Sequence, residues 1–153
     1  MLADGLLHRA QKLDMSLVPV ATEIKLGRQL SAQIERQQRL LPDERIQRYV
    51  SDISRPLLRA SHVDRSDLRY RIAVLDDPQQ VNAFALPGGF IYVYSGLLLF
   101  AQNEAKIAGV LAHEIGHVMG RARYRSDRVG TTRLQDVWID DSGSIRSAGS
   151  AVY

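Results

Sequence analysis

The stretch LAHEIGHVMG, residues 111–120, sets His113 and His117 four residues apart, with the carboxylate of Glu114 directly after the first. On a helix the two histidines differ by about 40° in azimuth and one turn of rise, so their Cβ atoms lie about 5 to 6 Å apart on one face. Two imidazoles so placed can share one ion. The chain has no cysteine, so a metal here is held by nitrogen and oxygen alone. Zinc suits that donor set: it takes imidazole nitrogen at about 2.0 to 2.1 Å and, in hydrolytic sites, three protein ligands and a water whose pKa it lowers to about 7. Glu114 is then the candidate general base, able to take a proton from the attacking water and return it to a leaving amine. Three fixed positions also recur by chance, and the plain alternative is a pair of hydrogen-bonded histidines on an ordinary helix.

The elements that must position these residues can be read from periodicity. Asn103 is a plausible helix cap with Glu104 at the positive end of the dipole, and Gly120 a natural stop, which predicts the motif helix over 103–119. With Leu111 at 0°, Ile107, Ile115 and Val118 fall within about 40° of it, while His113 and His117 fall near 200° and 240°, away from the core stripe. Gly109 and Gly116 cost helix propensity, so close approach of another backbone or a ligand is a reasonable purpose for at least one. Upstream, an amphipathic helix is predicted from Ser16 to before Pro42, through Ile24, Leu26, Gly27, Leu30, Ile34 and Leu41. A second begins at Asp43 and carries Ile46, Tyr49, Val50, Ile53, Leu57 and Leu58, with Pro56 expected to kink or shorten it.

The period then changes. Leu68, Tyr70, Ile72 and Val74 alternate as on one face of a strand, and Val81–Leu86 and Phe90–Tyr94 flank the turn signal Pro87-Gly88-Gly89. Because proline cannot donate to a ladder, the strand entering that turn is expected at a sheet edge, where another chain can pair with it.

A chain of 153 residues, 45% hydrophobic and 24% charged, is long enough for one domain with its own core. The net charge of +3 is spread along the chain, and the Arg121–Arg128 run, with Tyr124 as its one aromatic and no recognised reading helix, reads as a solvated face, so no nucleic-acid partner is expected. No apolar run reaches the roughly 20 residues of a transmembrane helix, and no secretory signal is evident at the amino terminus. The organisation expected is a lead-in over 1–15, a domain over 16–120, and an Arg/Ser-rich flexible tail over 121–153 in which only Val137-Trp138-Ile139 offers an apolar run.

Residues VNAFALPGGFIYVYSGLL followed by NEAKIAGVLAHEIGHV resemble the gluzincin metallopeptidases of the HtpX, BepA and CAAX prenyl protease family, with the likeness running from about Val18 to Gly120. The resemblance implies an α+β fold, helices packed on a small, mainly antiparallel sheet with the motif on a central helix. It implies a zinc endopeptidase with Zn2+ on His113 and His117, Glu114 as base, and the edge strand of Asn82, Ala83, Phe84 and Ala85 binding a polypeptide substrate over the cleft. By analogy it also implies a role in quality control of envelope proteins, a periplasmic or membrane-associated location, and membrane association without a spanning segment.

In that family a third ligand comes from a downstream glutamate, and from Arg121 to Tyr153 this chain has none. Asp127, Asp136, Asp140 and Asp141 are its only carboxylates there; GTTRLQD is similar to an aspartate-type ligand motif, with its aspartate two positions late. His8 and His62 read as exposed residues. The expectation is a truncated or frame-altered peptidase, and the alternative is an impaired remnant that binds polypeptides without cleaving them.

Overall fold

The computed structural model describes residues 18–61, 67–123, 137–139 and 145–147. In chain order these form α1 (Val20–Gln37), α2 (Glu44–Ser61), β1 (Arg71–Leu75), β2 (Ala83–Leu86), β3 (Phe90–Tyr94), α3 (Ser95–Phe100), α4 (Glu104–Arg123), β4 (Val137–Ile139) and β5 (Ile145–Ser147). This is the expected α+β class. His8, His62, Asp127, Asp136, Asp140, Asp141 and most of the 121–153 tail lie outside the described residues. Within that tail β4 and β5 form an antiparallel pair.

The first three strands form one sheet in the order β1-β3-β2. Its pairing corrects the expectation of a mainly antiparallel sheet: β3 runs antiparallel to β2 but parallel to β1, from Arg71↔Phe90 to Leu75↔Tyr94. The physical reason lies in β3, where Ile91, Tyr92, Val93 and Tyr94 are all buried. A strand apolar on both faces takes the centre, and the strand that ends at Pro87 takes the margin.

Both faces of the sheet are covered. Ala73, Leu75, Phe84, Leu86, Tyr92 and Tyr94 pack on one side with Leu30 and Ile34 of α1. On the other, Val74, Ala83, Ile91 and Val93 pack with Val50 and Ile53 of α2 and Ile107, Val110, Leu111 and Ile115 of α4. Each fully buried aliphatic side chain contributes about 1.5 to 3 kcal/mol, so these two layers carry the fold. Double coverage also explains why the alternation in β1 was only half the pattern: Ile72 and Val74 face α2 and α4, and Ala73 and Leu75 face α1.

The helices start and stop where local chemistry allows. Asp43 caps α2, its Oδ1 accepting the Arg45 and Ile46 amides at 2.9 and 3.4 Å. Pro56 does not shorten the helix, which runs on to Ser61; Pro56 is exposed, and a carbonyl freed on that side can turn to water. Helix α1 ends at Gln37, so Leu41 leaves the helical face and joins the α2 side of the core.

Two devices fasten the margins. Gln47 of α2 imitates a strand: its Oε1 accepts the Val74 amide at 2.8 Å, and its Nε2 donates to the Val74 and Leu41 carbonyls, both at 3.0 Å. With Leu41 N–H on Val74 O at 2.9 Å and Asp76 N–H on Arg39 O at 2.8 Å, the outer edge of β1 is covered at its Val74–Asp76 end. On the α1 face, Tyr92 Oη lies 2.5 Å from Ser31 Oγ and donates to Glu35 at 2.6 Å, while Arg71 pairs with the same carboxylate. Burial pushes the Tyr92 hydroxyl up to about 12, with the neighbouring Glu35 adding to it. Burial alone would raise Glu35, but the hydrogen bonds from Arg71, Tyr92 and Ser31 outweigh it and hold the carboxyl below its ordinary value.

At the Pro87-Gly88-Gly89 turn, Gly88 and Gly89 have φ of 81° and 90°, the region that favours glycine. Helix α1 lies directly on this turn: a Cβ on Gly27 would sit 1.9 Å from the Pro87 carbonyl oxygen. Among the described residues no helix is long and apolar enough to cross a membrane.

Gly27→Ala must lift α1 off the turn, with an expected loss of about 2 to 3 kcal/mol of unfolding free energy; a urea titration showing parental stability would contradict the packing. A depressed carboxyl stabilises the fold above its unfolded value and ceases to do so once protonated. Stability should therefore fall as pH drops below about 4.5, the ordinary value for Glu35, and Arg71→Met should flatten that decline in urea midpoints measured from pH 6 to 3.

Candidate metal centre

Helix α4 begins at its expected cap, Asn103, whose Oδ1 accepts the Lys106 amide at 3.0 Å. Glu104 occupies the first turn and receives Tyr49 Oη at 3.5 Å, which suits a helix-start charge. The stop differs from expectation. Gly120 lies inside the helix, which continues to Arg123, because glycine ends a helix only where the chain takes a left-handed turn.

His113, Glu114 and His117 come together as predicted: one ligand atom from each lies within 4.8 Å of the others, the one such group of three among the described residues. The two imidazoles are 4.2 Å apart between ring centroids and nearly perpendicular, at 88°. Their setting is more enclosed than an azimuth count suggests. Val110 and Glu114, on the histidine side of Leu111, are both buried, and the histidines are half-buried at the margin of the core while Ala112 and Gly116 face solvent.

Both Nε2 atoms are buried, and that of His113 makes no hydrogen bond among the described residues. Such an atom normally costs about 1 to 3 kcal/mol, a cost that a metal ligand recovers on coordination. Burial lowers the His113 pKa below its ordinary value, which favours the neutral ring whose lone pair a metal requires. Two imidazoles with a carboxylate beside them fit a zinc ion by donor type and by this orphaned nitrogen. The 5% exposure of Glu114 suits a base that works away from bulk water.

Strand β2 lies against this helix. Ala83 and Ala85 face the α4 side, whereas Phe84 faces α1 and stacks on Tyr92 with 5.3 Å between centroids. Small side chains on one face thus let the motif helix approach. The bond from Tyr94 N–H to Asn82 O, 3.1 Å long, sets the ladder's phase. Asn82, Phe84 and Leu86 point their backbone groups inward to β3, and those of Ala83 and Ala85 point out of the sheet. Asn82 is exposed, and its Oδ1 accepts the Ala83 amide at 2.8 Å. The outer edge of β2 has no paired strand among the described residues.

Sequence reasoning missed Gln47, Glu23 and helix α3. Gln47 and Glu23 lie among polar residues of amphipathic helices, with no local sign that they turn inward. The α3 residues SGLLLF continue an apolar run from β3, and Ser95 makes no cap bond but accepts the Asp77 amide on its Oγ at 2.9 Å, so the end of the strand at Tyr94 is set by a contact distant in sequence.

A model of peptidase family M48 matches residues 41–139. The mitochondrial metalloendopeptidase OMA1 of Schizosaccharomyces pombe is 38% identical over 85 residues, covering 56% of this chain and 24% of that protein. The β-barrel assembly-enhancing protease of Escherichia coli K12 is 28% identical over 132 residues, covering 85% of this chain and 26% of that protein. The OMA1 protein of Arabidopsis thaliana is 34% identical over 86 residues, 56% of this chain and 17% of its own length. The chain spans about a quarter or less of the length of these curated relatives.

The glycine between the two histidines can be tested directly. A Cβ on Gly116 would meet nothing within 4 Å among the described residues, so their packing does not require a glycine at this position. Gly116→Ala should therefore stabilise the fold by about 1 kcal/mol through helix propensity. A lower thermal midpoint in this variant would show that something does press on that position.

Proposed function

The chain belongs to peptidase family M48, and from that premise we propose that it carries the zinc-site region of a metalloendopeptidase that hydrolyses peptide bonds in extended polypeptides. The observation that carries this reading is the grouping of His113, Glu114 and His117, with the buried His113 Nε2 lacking a hydrogen-bond partner among the described residues. His113 and His117 would hold the ion, which supplies Lewis-acid polarisation of the carbonyl and acidifies water when bound. Glu114 takes the proton of the attacking water on a carboxylate oxygen and delivers it to the departing amine nitrogen. Its low exposure keeps that proton from exchanging with solvent during the transfer.

The substrate's place in this reading is the open edge of β2. Ala83 and Ala85 offer outward N–H and C=O groups, and an extended chain lying antiparallel to Asn82–Ala85 would pair with them by main-chain bonds that tolerate many side chains. For the Ala83 amide, the peptide must displace the Asn82 carboxamide, which now occupies it. Main-chain recognition suits an enzyme that meets misfolded proteins, and relatives named for β-barrel assembly support a role in envelope quality control. A periplasmic or membrane-associated site of action goes with that role, although other relatives are named as mitochondrial enzymes.

Zinc-loaded protein should contain metal that His113→Ala loses. Glu114→Gln, nearly isosteric, should keep the metal while cutting casein hydrolysis at least about 100-fold. Zinc content unchanged by His113→Ala, or full turnover in Glu114→Gln, would overturn the assignment. Metal-bound parent protein that binds casein without cleaving it would leave only the polypeptide-binding alternative.

A further inference from the structure

Glu23 is a charged side chain in the wrong place for a solvated helix face: it is 2% exposed, in the first turn of α1. Its Oε1 accepts the Gly88 amide at 3.2 Å across the interface between α1 and the Pro87-Gly88-Gly89 turn. We infer that Glu23 is a positioning residue for the polypeptide-binding edge, clamping the end of β2 through Gly88; this rests on the reading of β2 as the edge that takes substrate.

Strand β2 is four residues long and paired on one side only. Its entry is fixed by the Asn82 carbonyl on Tyr94 N–H. At its exit the ladder closes at Leu86↔Phe90, and Pro87 has no amide to extend it. The next N–H, that of Gly88, is buried beneath α1 and needs an acceptor. A carboxylate supplies a charge-assisted bond stronger than a neutral one, and its charge sits in the first turn of α1, where the helix dipole favours an anion. Shape reinforces the bond. A Cβ on Gly88 would lie 2.9 Å from Ile24 Cα, and one on Gly27 would strike the Pro87 carbonyl, so helix and turn touch backbone to backbone over the turn of helix that follows Glu23.

If Glu23 is lost, the turn keeps its shape but loses its tether. The exit end of β2 then drifts, and with it the outward N–H and C=O of Ala85. The ion site on α4 is anchored separately through Leu111 and Ile115 and does not depend on this tether.

The test uses the full zinc-loaded chain with fluorescein-labelled β-casein as probe. Glu23→Ala should weaken casein binding about tenfold and speed amide exchange at Ala85 and Gly88 about tenfold, with zinc content and exchange in β1 unchanged. Glu23→Gln retains an acceptor oxygen and should restore both to within about twofold of the parent. If Glu23→Ala does not fold, Glu23→Asp, whose carboxylate is one methylene short, should show the same pattern at about a threefold level. Parental casein affinity and exchange in a folded Ala or Asp variant would overturn the inference. So would accelerated exchange spread evenly through β1 and β3, which marks general destabilisation. A parent chain that does not bind casein refutes the reading of β2 as a substrate edge, and the exchange measurement still decides whether Glu23 is the clamp.

Discussion

Every other feature of this fold depends on β3 being buried on both faces and paired on both edges. Ile91 and Val93 point to α2 and α4, Tyr92 and Tyr94 to α1, so the strand has no solvent side and its position is not negotiable. Its neighbours inherit their geometry from it. β1 joins it in parallel, β2 returns to it through a tight turn, and α4 is laid across the face that Ile91 and Val93 create. A helix packed on a fixed surface presents its remaining sides in fixed directions, and for α4 one of those sides carries His113 and His117.

The two edges of the sheet are treated differently, and the difference has a chemical basis. Beside β1, Arg39, Leu41 and the carboxamide of Gln47 satisfy backbone groups that would otherwise recruit another chain. Beside β2 no strand pairs with the corresponding groups of Ala83 and Ala85 among the described residues, and the Ala83 amide meets the side chain of Asn82. Among the described residues the sheet thus has one margin partly covered and one without a paired strand, and the second lies next to the half-buried pair of imidazoles. The polar cluster of Ser31, Glu35, Arg71 and Tyr92 serves this arrangement from beneath by holding α1 to β1 and β3.

The histidine pair also shows how burial sets chemistry. Opposite the core stripe in full water, both rings would find hydrogen-bonding partners in solvent and would gain less from a metal. At the margin of the core, next to Val110 and the buried Glu114, the His113 ring is held towards its neutral form and its Nε2 is shielded. That environment comes from how deeply α4 sits between α2 and β2, where the alanines at 83 and 85 leave it room.

The sequence by itself marked most of the local elements and put His113, Glu114 and His117 on one helix. Asn103 and Asp43 marked helix starts, the glycines at 88 and 89 marked a turn, and the four-residue spacing of His113 and His117 fixed their shared face, because caps, positive φ and helical pitch are properties of adjacent residues. Tertiary structure decided what adjacent residues cannot encode. It made the sheet mixed by placing β3 at the centre, carried α4 past Gly120, let α2 pass Pro56 on a solvated side, and turned Glu23 and Gln47 inward to meet amides dozens of residues away. Those outcomes depend on which surface each element finds covered, and coverage exists only once the layers have come together.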